Sequence, residues 1–188
     1  MGRWGDGEES YQGCARSVSE GEMLSFGLDL FRREFKTQNS KLKIFTMGKK
    51  ARIRPISICL LRRRDEILVH EGYDAVKQRG FARPLGGGID FGETSAEAMV
   101  REIKEEVGAE ITGLTLLGIV ENIFVYEGES GHEIVFVYDG QFVNQGLYGR
   151  ESLTVVEGKR RFEAVWRSPD VLRHGPCPLV PEEIWNFL

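Results

Sequence analysis

The stretch Gly87–Ala109, which reads GGIDFGETSAEAMVREIKEEVGA, decides what fold and what chemistry this chain is expected to have. Within it, Thr94–Glu97 has the pattern of a capping box, in which the first and fourth residues bond reciprocally to each other's backbone N–H groups. This pattern predicts a helix that begins near Ser95. Gly108 is a natural end for that helix, because glycine adopts the left-handed backbone conformation at little cost.

The predicted helix has one apolar side. Apolar residues recur along it at intervals of three and four, which is the spacing of a single helix face. These residues are Ala96, Met99, Val100, Ile103 and Val107. We therefore expect this side of the helix to pack against a hydrophobic core.

Three carboxylates lie on one face of the same helix. Glu102, Glu105 and Glu106 are spaced at i, i+3 and i+4, so their side chains are neighbours. Such like charges oppose one another by a few tenths of a kcal/mol per pair, and Arg101 offsets only part of this. A solvated acidic helix would be the simpler interpretation of EIKEE alone. A site for a hard divalent cation explains the cluster better, particularly with Glu93 and a glycine run before it.

Gly86–Gly88 forms that glycine run, immediately before the helix. Glycine lets a backbone approach a ligand closely and turn freely. A backbone carbonyl here is therefore a candidate metal ligand, and the N-terminus of the helix is suited to anionic oxygens.

At these residues the chain resembles the Nudix hydrolase family, whose signature is G-x5-E-x7-R-E-U-x-E-E-x-G-U, with U a bulky apolar residue. The matching residues are Gly87, Glu93, Arg101, Glu102, Ile103, Glu105, Glu106 and Gly108. Ala109 is a smaller residue than the last U position usually has. Many family members have Pro-Gly-Gly before the helix, whereas this chain has Pro84-Leu85-Gly86-Gly87, so the loop is expected to enter the site at a different angle.

The resemblance implies a role for each of these residues. Glu102, Glu105 and Glu106 would bind Mg²⁺ or Mn²⁺, with the carbonyl of Gly87 as a further ligand. Glu93 and Arg101 would pair and brace the loop against the helix. The implied reaction is hydrolysis of a nucleoside diphosphate linked to another group, X, and the implied substrate is a small nucleotide.

The rest of the chain alternates between strands and loops. Periodicity predicts strands over residues 53–61, 67–70, 81–85, 114–126, 133–142 and 162–166, and loops over 73–80, 127–132 and 143–159. A short helix is expected from Pro169, and a last helical turn over residues 181–188. Strands on both sides of one long helix indicate an α/β fold with a mixed β-sheet between helices. The resemblance implies the same, a Nudix-type αβα sandwich.

The chain divides at Met47. Residues 1–46 form an N-terminal extension, rich in Gly, Ser and charge, that we expect to be partly disordered, with a short helix over residues 20–36. Residues 47–188 form the Nudix-like domain. The extension is either a dimerising or lid element or a dispensable tail, and we favour the tail.

Composition restricts the setting and the partners. The net charge of −4 argues against general binding to a nucleic acid backbone. No apolar run approaches the length of a membrane span, and the N-terminus lacks an apolar signal core. Cys14, Cys59 and Cys177 are too few and scattered for a disulfide framework. We expect a cytoplasmic protein without membrane or nucleic acid partners, as a monomer or a homodimer.

Residues outside the signature are harder to assign. A further carboxylate, as metal ligand or general base, is expected from a loop beyond the helix, and Glu151 and Glu157 are the best candidates, with Glu133 as a third. Phe124 and Tyr126 are candidates for stacking on a nucleobase. His70 and His174 have no evident partners and are interpreted as structural.

Two other functions stay open. One is a Nudix-like module that binds a nucleotide without cleaving it, although such a module has no need of all three glutamates. The other is isomerisation of an isoprenyl diphosphate on the same fold, which needs a reactive cysteine. Neither Cys59, in an apolar strand, nor Cys177, in a proline-rich tail, suggests one.

Overall fold

The computed structural model describes residues 51–188, which contain strands, two α-helices and two short 3-10 helices. The strands are β1 (Ile53–Arg63), β2 (Glu66–Asp74), β3 (Arg79–Gly88), β4 (Ile111–Tyr126), β5 (Glu129–Phe142), β6 (Ser152–Glu157) and β7 (Arg160–Arg167). The helices are α1 (Ser95–Val107) and α2 (Pro169–His174), and the 3-10 helices span Gln145–Gly149 and Glu182–Phe187.

These strands form one seven-stranded sheet in the order β4-β5-β1-β3-β2-β7-β6. The central pair, β1 and β5, is parallel, and the other pairs are antiparallel. The mixed sheet predicted from the sequence is therefore confirmed.

Strand β3 changes partners along its length. From Arg79 to Pro84 it pairs with β2, and from Leu85 to Gly88 it pairs with β1. Pro84 is tolerated at this position because it lies where the pairing with β2 ends and the pairing with β1 begins. The switch brings the glycine run alongside β1, with Gly87 opposite Ser57.

Each face of the sheet has its own core. On one face, Met99 and Ile103 of α1 are fully buried against residues such as Leu85 and Tyr138. On the other face, Leu172 of α2 and residues of the C-terminal 3-10 helix pack on alternate positions of β1 and β5. Truncation of a fully buried residue such as Ile103 to alanine typically costs about 2–5 kcal/mol. Helices therefore cover both faces, and the predicted αβα sandwich is confirmed.

The predicted loop over residues 143–159 is wrong. It contains the 3-10 helix Gln145–Gly149 and strand β6, in which Leu153 and Val155 are buried and their neighbours are largely exposed. This is the alternation of a half-buried strand. Strand β6 has only six residues and lies between segments rich in glycine and charged residues, so its sequence resembles that of a loop.

Several predicted boundaries also change. Strands β2 and β3 extend into both ends of the predicted loop 73–80 and leave residues 75–78 as a turn, and β5 begins at Glu129, so the β4–β5 connection is a tight turn. On α1, Val100 is exposed and Ala98 is buried in its place, so the apolar side is rotated from the predicted one. The predicted helix over residues 20–36 lies outside the described residues. Neither described helix is long and apolar enough to cross a membrane.

Candidate metal and active site

Helix α1 begins and ends as its sequence predicts. The side chain of Thr94 accepts a hydrogen bond from the backbone N–H of Glu97, and the Glu97 carboxylate accepts one from the backbone of Thr94. Gly108 ends the helix in the left-handed conformation, with φ of 68°. Both ends are thus defined by local bonds, which set the directions in which the carboxylates project.

Glu102 packs directly on the glycine run. A methyl carbon placed on Gly87 would lie 2.6 Å from Glu102 Oε2, closer than real side chains approach. The absence of a side chain at Gly87 is therefore what allows the carboxylate to lie against the β3 backbone. The carboxylates differ in exposure, since 15% of the Glu102 side chain is exposed and 62% of that of Glu105.

Arg101 joins the glycine run, the loop and the helix. Its guanidinium donates to Glu93 at 2.6 and 3.1 Å, to the Gly88 carbonyl at 2.9 Å, and to Glu102 at 3.0 Å. It also donates to Glu105 at 3.3 Å. Five directed donors on a rigid plane suit arginine to this role better than lysine. The predicted contact between Glu93 and Arg101 is present.

The pKa values of the glutamates at the site are set by their burial and by the charges and hydrogen bonds around them. The hydrogen bond from Arg101 is the main cause that lowers the pKa of Glu93. Burial raises the pKa of Glu102, although Arg101 opposes the rise. Burial, and then the negative charge of Glu102 and Glu157, raises the pKa of Glu106 to about 7. Negative charge is therefore concentrated where a bound cation would relieve it.

The donor set suits Mg²⁺ or Mn²⁺, but the side chains are not in a ligating arrangement. Among residues 51–188, no three acidic, histidine or cysteine side chains converge closely enough to hold a metal ion. Glu102 and Glu105 are instead hydrogen-bonded to Arg101. Oxygen ligands from carboxylates and a nearby backbone carbonyl are what these cations prefer. Binding would require the two carboxylates to exchange their bonds with Arg101 for bonds to the metal.

The three candidates for a further carboxylate differ in which face of the sheet they occupy and in their neighbours. Glu157 ends β6 on the same face as buried Val155, and its charge raises the pKa of Glu106. Glu133 is buried on the opposite face, which α2 covers, with Asn122 Nδ2 at 3.4 Å. Glu133, the third candidate, therefore does not lie on the α1 side of the sheet. Glu151 is exposed at the start of β6, and no hydrogen bond or ion pair with it is found within residues 51–188.

The candidate stacking residues occupy different surroundings. The ring of Phe124 lies over Gly131 of β5, its cross-strand partner, and so packs within its own hairpin. Tyr126 is 41% exposed and meets Phe81 edge to face, with ring centroids 5.7 Å apart. Phe81 is in turn edge-on to His70, which is tilted on Phe162 at 4.0 Å. Of the two candidates, only Tyr126 joins this aromatic row.

Comparison with known proteins resolves the identity of the domain. The family model described as NUDIX domain matches residues 51–178, which is more than half of the chain. The chain belongs to the NUDIX family. Residues 1–50 lie outside the match, and the whole signature lies within it.

Solved structures of Nudix hydrolases share the fold. A NUDIX hydrolase from Nitrosomonas europaea aligns with 18% identity and a TM-score of 0.51, over 72% of this chain and 85% of its own. A MutT NUDIX hydrolase from Burkholderia pseudomallei aligns with 26% identity and a TM-score of 0.51, over 69% and 92%. No curated protein matches the sequence. The protein is accordingly a Nudix-type hydrolase, of a family that acts on nucleoside diphosphate derivatives.

The sequence pattern alone does not single out Arg83 as a residue of this site. Arg83 lies on β3, and its positive charge opposes the rise in the pKa of Glu106. It also contributes, after burial, to lowering the pKa of His70, its cross-strand partner. The sequence does carry a signal for Arg83, namely its spacing. Arg83, Leu85 and Gly87 stand at every second position of the strand that leads into the glycine run, so they lie on the same side of it.

Proposed function

We propose that this protein is a Mg²⁺- or Mn²⁺-dependent hydrolase that cleaves the diphosphate linkage of a nucleoside diphosphate joined to another group. The observation that carries the proposal is the carboxylate face of α1. There Glu102 lies against the backbone of Gly87, and clustered negative charge together with burial raises the pKa of Glu106 to about 7. A structural helix gains nothing from such a cluster, whereas a cation site requires it.

Under this proposal, Glu102, Glu105 and Glu106 hold the metal, with the Gly87 carbonyl as a further ligand. When bound, such a cation neutralises the diphosphate and lowers the pKa of a bound water. Arg101 and Glu93 act as positioning residues, because their bonds fix the glycine run relative to α1. The protein's contribution is therefore to place and orient groups around the phosphorus.

Glu157 is the favoured further carboxylate. It lies at the end of β6 within electrostatic range of Glu106, whereas Glu133 is on the other face of the sheet. We propose that this carboxylate, outside the three on α1, accepts a proton from the attacking water. Substitution of Glu157 by glutamine is expected to lower turnover and to leave Mn²⁺ affinity less affected than substitutions on α1.

The substrate is proposed to be a small nucleotide in the cytoplasm, with Tyr126 rather than Phe124 contacting the base. Isomerase chemistry is disfavoured by the state of the two cysteines within residues 51–188. Cys59 is fully buried and its pKa is raised to about 12, mainly by burial, so its thiol is not a reactive one. Burial also raises the pKa of Cys177.

A nucleotide panel tests the proposal. The full chain is incubated with nucleoside diphosphate derivatives and Mg²⁺, and the products are identified by chromatography and mass spectrometry. Chelation is expected to abolish cleavage, and Glu105→Gln and Glu106→Gln to reduce turnover by orders of magnitude with the fold intact. Glu110→Gln is the matched control, since Glu110 is exposed and pairs with Lys104 at 3.0 Å.

Two results would count against this assignment. Full activity in both α1 variants would show that the carboxylates are not the site. Tight nucleotide binding by the unaltered protein, with no product from any member of the panel, would favour the module that binds without cleaving.

A further inference from the structure

Arg83 shares a face of β3 with the two residues that border the candidate metal site. Side chains at alternate positions of a strand lie on the same side. Leu85, two residues further on, is buried in the core beneath α1. Gly87, two residues beyond that, faces Glu102. Arg83 is therefore on the α1 face, in line with the glycine run.

Within residues 51–188, the guanidinium of Arg83 has no fixed partner. The side chain is partly buried, yet within residues 51–188 it forms no ion pair and no hydrogen bond. Some other arginines of this domain are bound to carboxylates, such as Arg63 to Glu66 at 2.7 Å and Arg167 to Glu71 at 2.6 Å. A guanidinium that no neighbour in the described part of the chain holds keeps its N–H donors available to an anion that binds beside it.

His70 and Glu106 are the neighbours of Arg83 that the described residues provide. His70, opposite it on β2, is tilted on Phe162, and burial followed by the charge of Arg83 lowers the pKa of His70, so the ring is neutral at neutral pH. Nδ1 of His70 is buried and has no hydrogen-bond partner among the described residues. Glu106 lies within electrostatic range of Arg83, and Glu157 lies within range of both Glu106 and His70. The positive charge of Arg83 is thus close to the acidic cluster through Glu106 and close to the aromatic row through His70.

We propose that Arg83 is a substrate-binding residue that binds the phosphate group of the substrate lying beyond the α1 carboxylates, toward Phe81 and His70. The inference rests on the proposed function and extends it. A guanidinium presents two parallel N–H donors that match two oxygens of one phosphate. The substrate class is accordingly one with a diphosphate or longer phosphate chain, whose second phosphate reaches past the metal ligands. A single phosphate held by the α1 carboxylates and metal would leave Arg83 unused.

The position of Arg83 gives its removal two opposite effects. Its charge repels a cation at the carboxylates and attracts an anion beside them. In Arg83→Met, Mn²⁺ is expected to bind as tightly as before or more tightly, while a phosphate chain binds more weakly. A purely structural role would instead weaken both, because a distorted site loses both ligands.

The experiment measures two affinities in the full chain. Isothermal titration with imidodiphosphate, which resists hydrolysis, is performed at saturating Mg²⁺, and Mn²⁺ alone is titrated by electron paramagnetic resonance. Arg83→Met is expected to bind imidodiphosphate about 10- to 100-fold more weakly, the usual effect of losing hydrogen bonds between charged groups. Arg83→Lys should fall between, because lysine keeps the charge and loses the paired donors. Arg79→Met on the same strand, exposed and farther from Gly87, is the matched control.

Unchanged imidodiphosphate affinity in Arg83→Met, equal weakening of Mn²⁺ and imidodiphosphate, or no measurable imidodiphosphate binding to the unaltered protein would each overturn the inference. Should Arg83→Met fail to fold, Arg83→Lys and Arg83→Gln provide the same comparison. The test is separate from that of the proposed function. If Arg83→Met loses imidodiphosphate affinity while the unaltered protein cleaves no nucleotide, the anion site stands and the hydrolase assignment fails.

Discussion

Alanine substitutions in Gly86–Gly88 are expected to have three different outcomes, and Gly87→Ala is the most informative. Its new methyl carbon would lie 2.6 Å from Glu102 Oε2, whereas ordinary contact begins near 3.4 Å. The carboxylate must therefore retreat by about 1 Å, a displacement that in an active site can cost about 100-fold in rate. The backbone of Gly87 has no positive φ, so alanine is tolerated there and the protein should remain folded.

The neighbouring glycines supply matched controls. Gly88→Ala places its methyl group in open space, with no atom within 4 Å and an ordinary backbone, so activity and melting temperature should be unchanged. Gly86 has φ of 139°, and its methyl group would meet the Ser57 carbonyl and lie 2.8 Å from Ile58 Cα. Because that backbone cannot move aside cheaply, Gly86→Ala should destabilise the fold itself.

The assay combines turnover, Mn²⁺ binding and thermal unfolding of all three variants. Gly87→Ala should lose turnover and Mn²⁺ affinity while its melting temperature stays close to that of the unaltered protein. Turnover and Mn²⁺ affinity within a factor of three of the unaltered values would refute the reasoning, since Glu102 would then not depend on its place against Gly87. Equal losses in Gly87→Ala and Gly88→Ala would refute it as well, because they would indicate a general effect of stiffening the loop.

Three further predictions follow from the same contacts. In a double-mutant cycle, Glu93→Gln with Arg101→Met should lower the melting temperature by less than the sum of the single changes, and additivity would contradict the bridge. Burial raises the pKa of Glu106 from 4.5 to about 7, so metal-free protein should lose stability relative to Glu106→Gln as pH rises through that range. A difference in melting temperature between the unaltered protein and Glu106→Gln that does not change with pH would contradict this prediction. Deletion of residues 1–46 should leave a folded, active domain, and a much lower melting temperature or a changed oligomeric state would contradict the dispensable tail.

Local signals account for the features that the sequence predicts correctly. The start of α1 and its end at Gly108 depend on bonds within a few residues, and so does the shared face of its three glutamates. Strands β1 and β5 are long and apolar, and their existence is evident from composition and periodicity. The contact between Glu93 and Arg101 is less local, and it followed from the family signature rather than from spacing alone.

Features that depend on pairing between distant segments could not be predicted from the sequence. The side on which Glu133 lies is set by the register of β5 on β1, and a shift of one residue would reverse it. The neighbours of Arg83 come from β2 and from α1, and strand register and the packing of the helix on the sheet bring them to it. Strand β6 itself is too short to stand out, and it is fixed by pairing with β7.

Because β3 pairs with β2 over its first part and with β1 over its last, it ties the two halves of the sheet into one cooperative unit. Each half is hydrogen-bonded to this one ten-residue strand, one half through Arg79–Pro84 and the other through Leu85–Gly88. A destabilising change as far away as β7 should therefore reduce the number of active molecules without producing a partly formed site. Loss of activity and loss of folded protein would then run in parallel, and the surviving molecules would keep the affinity of the unaltered protein.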